Sequence, residues 1–248
     1  MVRKITALFL SLLLITALSA CGQAHSKEES SAVPSASSEA PSESSSPDTS
    51  SDENAPQEEQ EGELAATGSS SILVAYFSWA DNAVTEGDVD AVTSPSVTAP
   101  GNVAQLASWV QEATDGDLFS IHVTEPYSSD WDECLARANE ERSQNARPEL
   151  TETVENIENY DVVFLGYPNW WYGAPMALLS FIEENDLSGK QVYLFCSHGT
   201  GGLAGSVGDI EDVLPDSAFL SDSVFDVYEE DASGAQEDIL DWLSELGY

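Results

Sequence analysis

Asp161–Pro175, DVVFLGYPNWWYGAP, decides the fold. Val162, Val163, Phe164 and Leu165 form an unbroken apolar run, the pattern of a strand buried on both faces, as in a parallel sheet. Pro168 lacks an N–H for a ladder and predicts that the strand ends at Gly166. Tyr167, Trp170, Trp171 and Tyr172 then put four large flat faces on one loop. Pro175 suits the first turn of a helix over Met176–Glu184. The carboxyl edge of an open α/β sheet is where ligands bind, and aromatics there favour a planar ligand that stacks. The plainer alternative is that Trp170 and Trp171 only cap the core.

Outward from this stretch, strands and helices alternate. Ile72–Ser78 (ILVAYFS) reads as a first buried strand, followed by a polar, Pro-containing stretch from Trp79 to Pro100. Gly101–Thr114 has helical period, with Val103, Leu106, Ala107 and Val110 on one face. Leu118–Val123 is a second strand. Asp130–Ser143 is a polar helix with a cap at Ser129 or Asp130. Gln191–Ser197 (QVYLFCS) is a fourth strand, and the loop His198-Gly199-Thr200-Gly201-Gly202 leads to a helix ending near Leu214. Ser217–Ser221 suits a short fifth strand. Glu237–Leu246 closes the chain as a helix. Right-handed βαβ crossovers then imply an α/β fold, a doubly wound five-stranded parallel sheet of order 2-1-3-4-5. That order brings together the ends of strands one, three and four: Ser78, Gly166–Trp171 and Ser197–Gly202.

The 248 residues divide into three parts: 1–21, 22–70 and 71–248. The acids of 22–70 number 11 against one Lys. Residues 71–248 therefore hold 34 acids against Arg137, Arg142, Arg147 and Lys190, a net charge of about −30. A phosphate backbone needs Lys and Arg to neutralise it, so nucleic acid is excluded as a partner. Of the three cysteines, Cys134 and Cys196 fall on different elements, with no spacing that calls for a disulfide. No Cys/His spacing for a metal appears. Residues 22–70 are Ser, Glu, Pro and Ala, a composition that buries too little surface to offset ordering. They read as a disordered tether with ends roughly 35–42 Å apart.

At the amino end, Arg3 and Lys4 precede an apolar run from Ile5 to Leu18, too short for a spanning helix, and then Leu18-Ser19-Ala20-Cys21. This resembles the lipobox of bacterial lipoproteins, in which Cys21 would receive lipid and become the mature N-terminus. The resemblance implies a lipid anchor on the extracytoplasmic face of a cell membrane.

The 71–248 part resembles a flavodoxin, most of all the flavodoxin-like domains of bacterial lipoproteins. Flavodoxins wrap a flavin mononucleotide (FMN) phosphate with a loop near T/S-x-T-G-N-T. Here Tyr76-Phe77-Ser78-Trp79 keeps the strand end, and Thr98-Ala99-Pro100-Gly101-Asn102-Val103 keeps the outer Thr, Gly and Asn. Pro100 and Val103 stand where the pattern has Thr, and 79–100 is inserted between the two halves. The resemblance implies FMN contacts from Ser78, Trp79, Thr98, Gly101, Asn102 and Val103 to the phosphate. It implies others from Tyr167, Pro168, Asn169, Trp170, Trp171 and Tyr172 to the ring, with Trp170 or Trp171 stacking. Ser197, His198, Gly199, Thr200, Gly201 and Gly202 would lie along the ring's polar edge.

The function implied is lipid-anchored electron transfer, or flavin-dependent reduction, outside the cytoplasm, with a redox partner protein or small electron acceptor. The alternatives are an NAD(P)H-quinone-type oxidoreductase, a flavin-free binding module on the same fold, and a serine hydrolase. The last rests on Ala204-Gly205-Ser206-Val207-Gly208, which imitates a nucleophile elbow, but no His follows Ser206 as that arrangement requires.

Overall fold

The computed structural model describes residues 71–84, 89 and 91–248. The leader, Cys21 and the tether lie outside the described residues. Five strands form one parallel sheet: β1 (Ile72–Phe77), β2 (Asp117–Ile121), β3 (Val162–Pro168), β4 (Gln191–His198) and β5 (Phe219–Tyr228). Their order is β2-β1-β3-β4-β5, as the alternation of strands and helices requires.

The period of two along each strand divides the core into two layers. Leu73, Ala75 and Phe77 of β1, Val163, Leu165 and Tyr167 of β3, and Val192, Leu194 and Cys196 of β4 face one side. There they meet α3 (Trp131–Gln144), α4 (Met176–Glu184) and α5 (Ser206–Glu211) through Cys134, Phe181 and Ile210. Val74, Tyr76, Val162, Phe164 and Phe195 face the other side. They pack on α2 (Asn102–Thr114) and α6 (Gln236–Leu246) through Leu106, Val110, Ile239 and Trp242. A short helix, α1 (Trp79–Asn82), follows β1 directly. Asp130 caps α3, its carboxylate accepting from the Glu133 N–H at 3.0 Å.

Two expectations change. Strand β3 does not stop at Gly166 but runs to Pro168, which pairs with Ser197. Pairing with β1 ends at Tyr76–Gly166, so beyond that point β3 has one neighbour and the missing N–H breaks no ladder bond. The fifth strand covers Phe219–Tyr228, ten residues rather than a short segment at Ser217–Ser221. It is an edge strand whose Ser221, Asp222, Ser223 and Asp226 gave its sequence the look of a loop. The stretch 79–100 contains α1 and a turn of 3-10 helix at Pro95–Val97, with Ser94 Oγ accepting from the Ser96 N–H. Cys134 and Cys196 are buried free thiols, and burial pushes Cys134 up to about 12 and raises Cys196 as well.

Packing is tight at the centre of the sheet on the α2/α6 side. A Cβ on Gly166 would lie 2.2 Å from Cε2 and Cζ of Phe195 on the adjacent strand. Gly166→Ala is expected to destabilise the fold by about 1–3 kcal/mol through overpacking. Urea unfolding checks this: the midpoint falls while the slope stays constant.

Candidate functional site

The ends of β1, β3 and β4 converge as the topology requires, and a cavity of about 210 Å³ opens beside them. One wall is Trp79, Trp131, Trp170, Trp171 and Tyr172; the other is Ser197–Gly201; Ser94, Ser96, Pro168, Asn169 and Glu229 complete it. Whole small-molecule sites run to roughly 300–1,000 Å³, so this slot suits the flat part of a larger ligand, with the remainder along the rim.

Trp170 packs edge to face at the inner end of the aromatic wall, and Trp171 packs at a tilt. Trp170 is 8% exposed, with ring centroids 5.0 Å from Tyr127, 5.2 Å from Phe77 and 6.2 Å from Trp79. Trp171 stands 5.9 Å from Trp131 and 5.3 Å from Trp170. Tyr172, in contrast, is 68% exposed and lies over Gly201. Trp171 and Tyr172 occupy the centre of a tight turn with φ of 49° and 69°. Residues with a Cβ rarely hold such values, and each costs about 1–3 kcal/mol.

The polar wall follows β4. His198 Nδ1 is 2.8 Å from the Gly199 carbonyl and Nε2 is 2.8 Å from Asp226 Oδ2. Both partners only accept, so both contacts are hydrogen bonds when each ring nitrogen carries a proton. At the far end, Ser94 Oγ donates to Glu229 Oε2 at 2.7 Å and also contacts Ser96 Oγ at 2.7 Å. Asn102 Nδ2 donates to the Glu229 carbonyl at 2.9 Å and to Ser197 Oγ at 3.3 Å, tying the start of α2 to this wall.

Directly after β1, Ser78 is buried and its Oγ has no hydrogen-bond partner among the described residues. It lies 2.6 Å from where a Cβ on Gly101 would stand; Gly101 has φ of 75° and precedes α2, whose first turn has no side-chain cap. Glycine is needed there on both counts. Asn169 Oδ1 is a second buried acceptor without a partner, while its Nδ2 donates to the Gly202 carbonyl. Among the described residues, no guanidinium or ammonium lines the cavity. Arg137 pairs with Glu141, Arg142 with Asp209 and Arg147 with Glu183, and Lys190 Nζ donates to the Tyr160 carbonyl.

Of the residues singled out from sequence, Trp79, Pro168, Asn169, Trp170, Trp171, Tyr172, Ser197, His198, Gly199, Thr200 and Gly201 line one cavity. Ser78, Gly101 and Asn102 lie together outside that lining, joined to it where Asn102 bonds Ser197 and the Glu229 carbonyl. Four others stand elsewhere. Thr98 is exposed. The Val103 side chain is buried between α2 and the sheet, because its position continues the apolar face of the helix. Tyr167 is buried beneath the floor, its hydroxyl 3.0 Å from Ser206 Oγ, because strand alternation turns it into the core. Gly202 takes part through its carbonyl. Ser94, Ser96, Trp131 and Glu229 were not anticipated. Glu229 follows the last residue of β5, so reading that strand as short hid it. Ser206 is fully buried and its Oγ donates to the Leu203 carbonyl at 2.7 Å, which removes it as a surface nucleophile.

Comparison with known proteins agrees with this geometry. The family model for flavodoxin matches residues 91–246. A structure from Bacteroides eggerthii, described as a flavoprotein, is 30% identical, spans 72% of this chain and 99% of its own, and has a TM-score of 0.51. Another so described, from Bacteroides uniformis, is 24% identical, spans 71% of this chain and 98% of its own, and has a TM-score of 0.53. A flavoprotein of Lactobacillus acidophilus, solved in complex with FMN, is 16% identical over 68% of this chain and 99% of its own, with a TM-score of 0.46. No curated protein matches the chain. The sheet order, the cavity at its switch point and a family match over most of the chain lead to one conclusion: this chain belongs to the flavodoxin family.

Proposed function

We propose that this chain binds FMN and transfers electrons outside the cytoplasm while held at a membrane by lipid on Cys21. The observation that carries the flavin reading is the orphaned Ser78 hydroxyl, which stands against Gly101 before the uncapped start of α2 and adjoins Trp79 of the aromatic cavity in sequence. Helix amides and the helix dipole favour an anion there. A phosphate would give Ser78 its missing partner, and the N–H groups of Asn102 and Val103 would join it. Val103 thus contributes backbone rather than side chain. The four bases are engaged elsewhere, so hydroxyls and amides hold the phosphate without cations.

The isoalloxazine ring suits the cavity beside the aromatic turn and the Gly199–Thr200 backbone, with Tyr172 covering Gly201 at its edge. Trp170 is wedged among Phe77, Tyr127 and Trp79, so Trp171 and Tyr172 are better placed to stack. FMN supplies one- and two-electron transfer when bound. The chain sets its potential. Glu229 lines the cavity and the surrounding domain is strongly acidic, so a negative charge on the reduced ring is disfavoured and the potential is lowered.

Adding FMN to the purified chain is expected to produce a bound-flavin visible spectrum and quenched flavin fluorescence. A chain that stays colourless supports the flavin-free module instead. Glu229→Gln removes one negative charge beside the ring and is expected to raise the potential of the second electron by tens of millivolts, an order-of-magnitude figure, read by anaerobic redox titration. Cys21→Ser is expected to move the protein from the membrane fraction to the soluble one in a bacterial host that makes lipoproteins. Unchanged fractionation would remove the anchor.

A further inference from the structure

Arg142 and Asp209 stand outside the lining of the cavity, yet they lie against the turn that presents its aromatics. That turn closes through two backbone bonds, Trp170 N–H to the Gly173 carbonyl at 3.0 Å and Gly173 N–H to the Trp170 carbonyl at 3.1 Å. Two-residue turns with positive φ at both centres ordinarily carry Asn-Gly, which adopt it readily. Trp171-Tyr172 has no such preference. The conformation is therefore imposed by what surrounds it.

The surroundings are specific. Arg142 Nη1 and Nη2 donate to Asp209 Oδ2 and Oδ1 at 2.7 and 3.1 Å, a two-pronged pair. Asp209 Oδ2 also accepts from the Ala174 N–H at 3.0 Å. Gly205 N–H donates to the Tyr172 carbonyl at 3.1 Å. A Cβ on Gly173 would lie 1.8 Å from Arg142 Nη1 and 2.4 Å from Asp209 Oδ2, so the ion pair sits directly on the turn's backbone. Arg142 belongs to α3, and Asp209 to α5, just after the glycine loop that forms the opposite wall. One ion pair thus joins the supports of both walls.

We propose that the Arg142–Asp209 pair is a clamp that holds Trp171 and Tyr172 in the left-handed turn and thereby sets how tightly the cavity grips a flat ligand. Both are positioning residues. Without the clamp the turn relaxes to negative φ, Tyr172 leaves Gly201, and Trp171 loses its register against Trp131. The ligand half of this inference rests on the flavin reading; the clamp itself is a property of the ligand-free chain.

The test uses the full chain, with FMN as the probe ligand. Asp209→Ala is expected to raise the Kd for FMN roughly 10-fold or more. In the ligand-free protein it is expected to strip hydrogen-exchange protection from the Gly173 amide while the β3 and β4 amides stay protected. Arg142→Lys, which keeps the charge but not the fork, is the second variant and shows the same changes in weaker form. Tyr172→Asn supplies a residue that tolerates positive φ, so adding Asp209→Ala in that background costs less than in the parent. Unchanged Gly173 protection in both Asp209→Ala and Arg142→Lys overturns the clamp, as do strictly additive effects with Tyr172→Asn. If the parent chain itself does not bind FMN, the flavin reading fails, and the exchange data alone decide the clamp.

Discussion

The burial of β3 on both faces is the constraint from which the rest of the structure follows. Four apolar residues in a row leave no side of this strand for water, so helices must cover both sides of the sheet. The chain meets that demand with α2 and α6 on one face and α3, α4 and α5 on the other. Crossovers of one hand then reverse direction between β1 and β3, and a crevice opens where they diverge. Gly166 leaves room for the Phe195 ring over the middle of β3, and the ladder from Val162–Gln191 to Pro168–Ser197 holds the end of β3 beside the end of β4. The ligand loops are thus consequences of a packing problem solved deeper in the molecule.

What lies on those loops is chemically lopsided. Indole and phenol rings form one wall, main chain and small polar groups the other. The aromatic wall continues inward: Trp170 rests on Phe77 and Tyr127, and Tyr127 donates its hydroxyl to Glu141 beneath the Arg137 guanidinium. Burial and the Glu141 carboxylate both raise the phenol's pKa, so it stays a proton donor in the folded protein. The inner end of the wall is braced by rings that meet Trp170 edge to face and by the Tyr127–Glu141–Arg137 contacts beneath them. The turn at its outer end is the exception, held against its own backbone preference by partners drawn from two helices.

The sheet was legible because each buried strand carries its own signature: a continuous apolar run bounded by Gly, Pro or a polar cluster. The aromatic and glycine loops were legible for the same reason, since they follow strands that could be read. Illegible parts have physical causes. Strand β5 pairs on one side only, so its polar residues face water and mimic a loop, and Glu229 was lost with it. Tyr167 looked like one more loop aromatic because Pro168 seemed to end the strand two residues early. Ser94 and Ser96 come from an insertion with no period at all, and only the closed chain shows that they reach the cavity. Arg142 and Asp209, 67 positions apart, could be paired only by tertiary structure.

The engagement of Arg137, Arg142, Arg147 and Lys190 with internal partners bears on how this domain meets its neighbours. Each positive group already has an oxygen to itself, which leaves the unpaired acids to face the solvent. Copies of the domain crowded on a shared surface would repel one another over distances comparable to the Debye length, about 8 Å in physiological salt. Mobile cations would gather around each copy, and a visiting protein with a cationic face would displace them on arrival. Encounter with such a visitor would quicken as ionic strength falls, whatever it exchanges once docked.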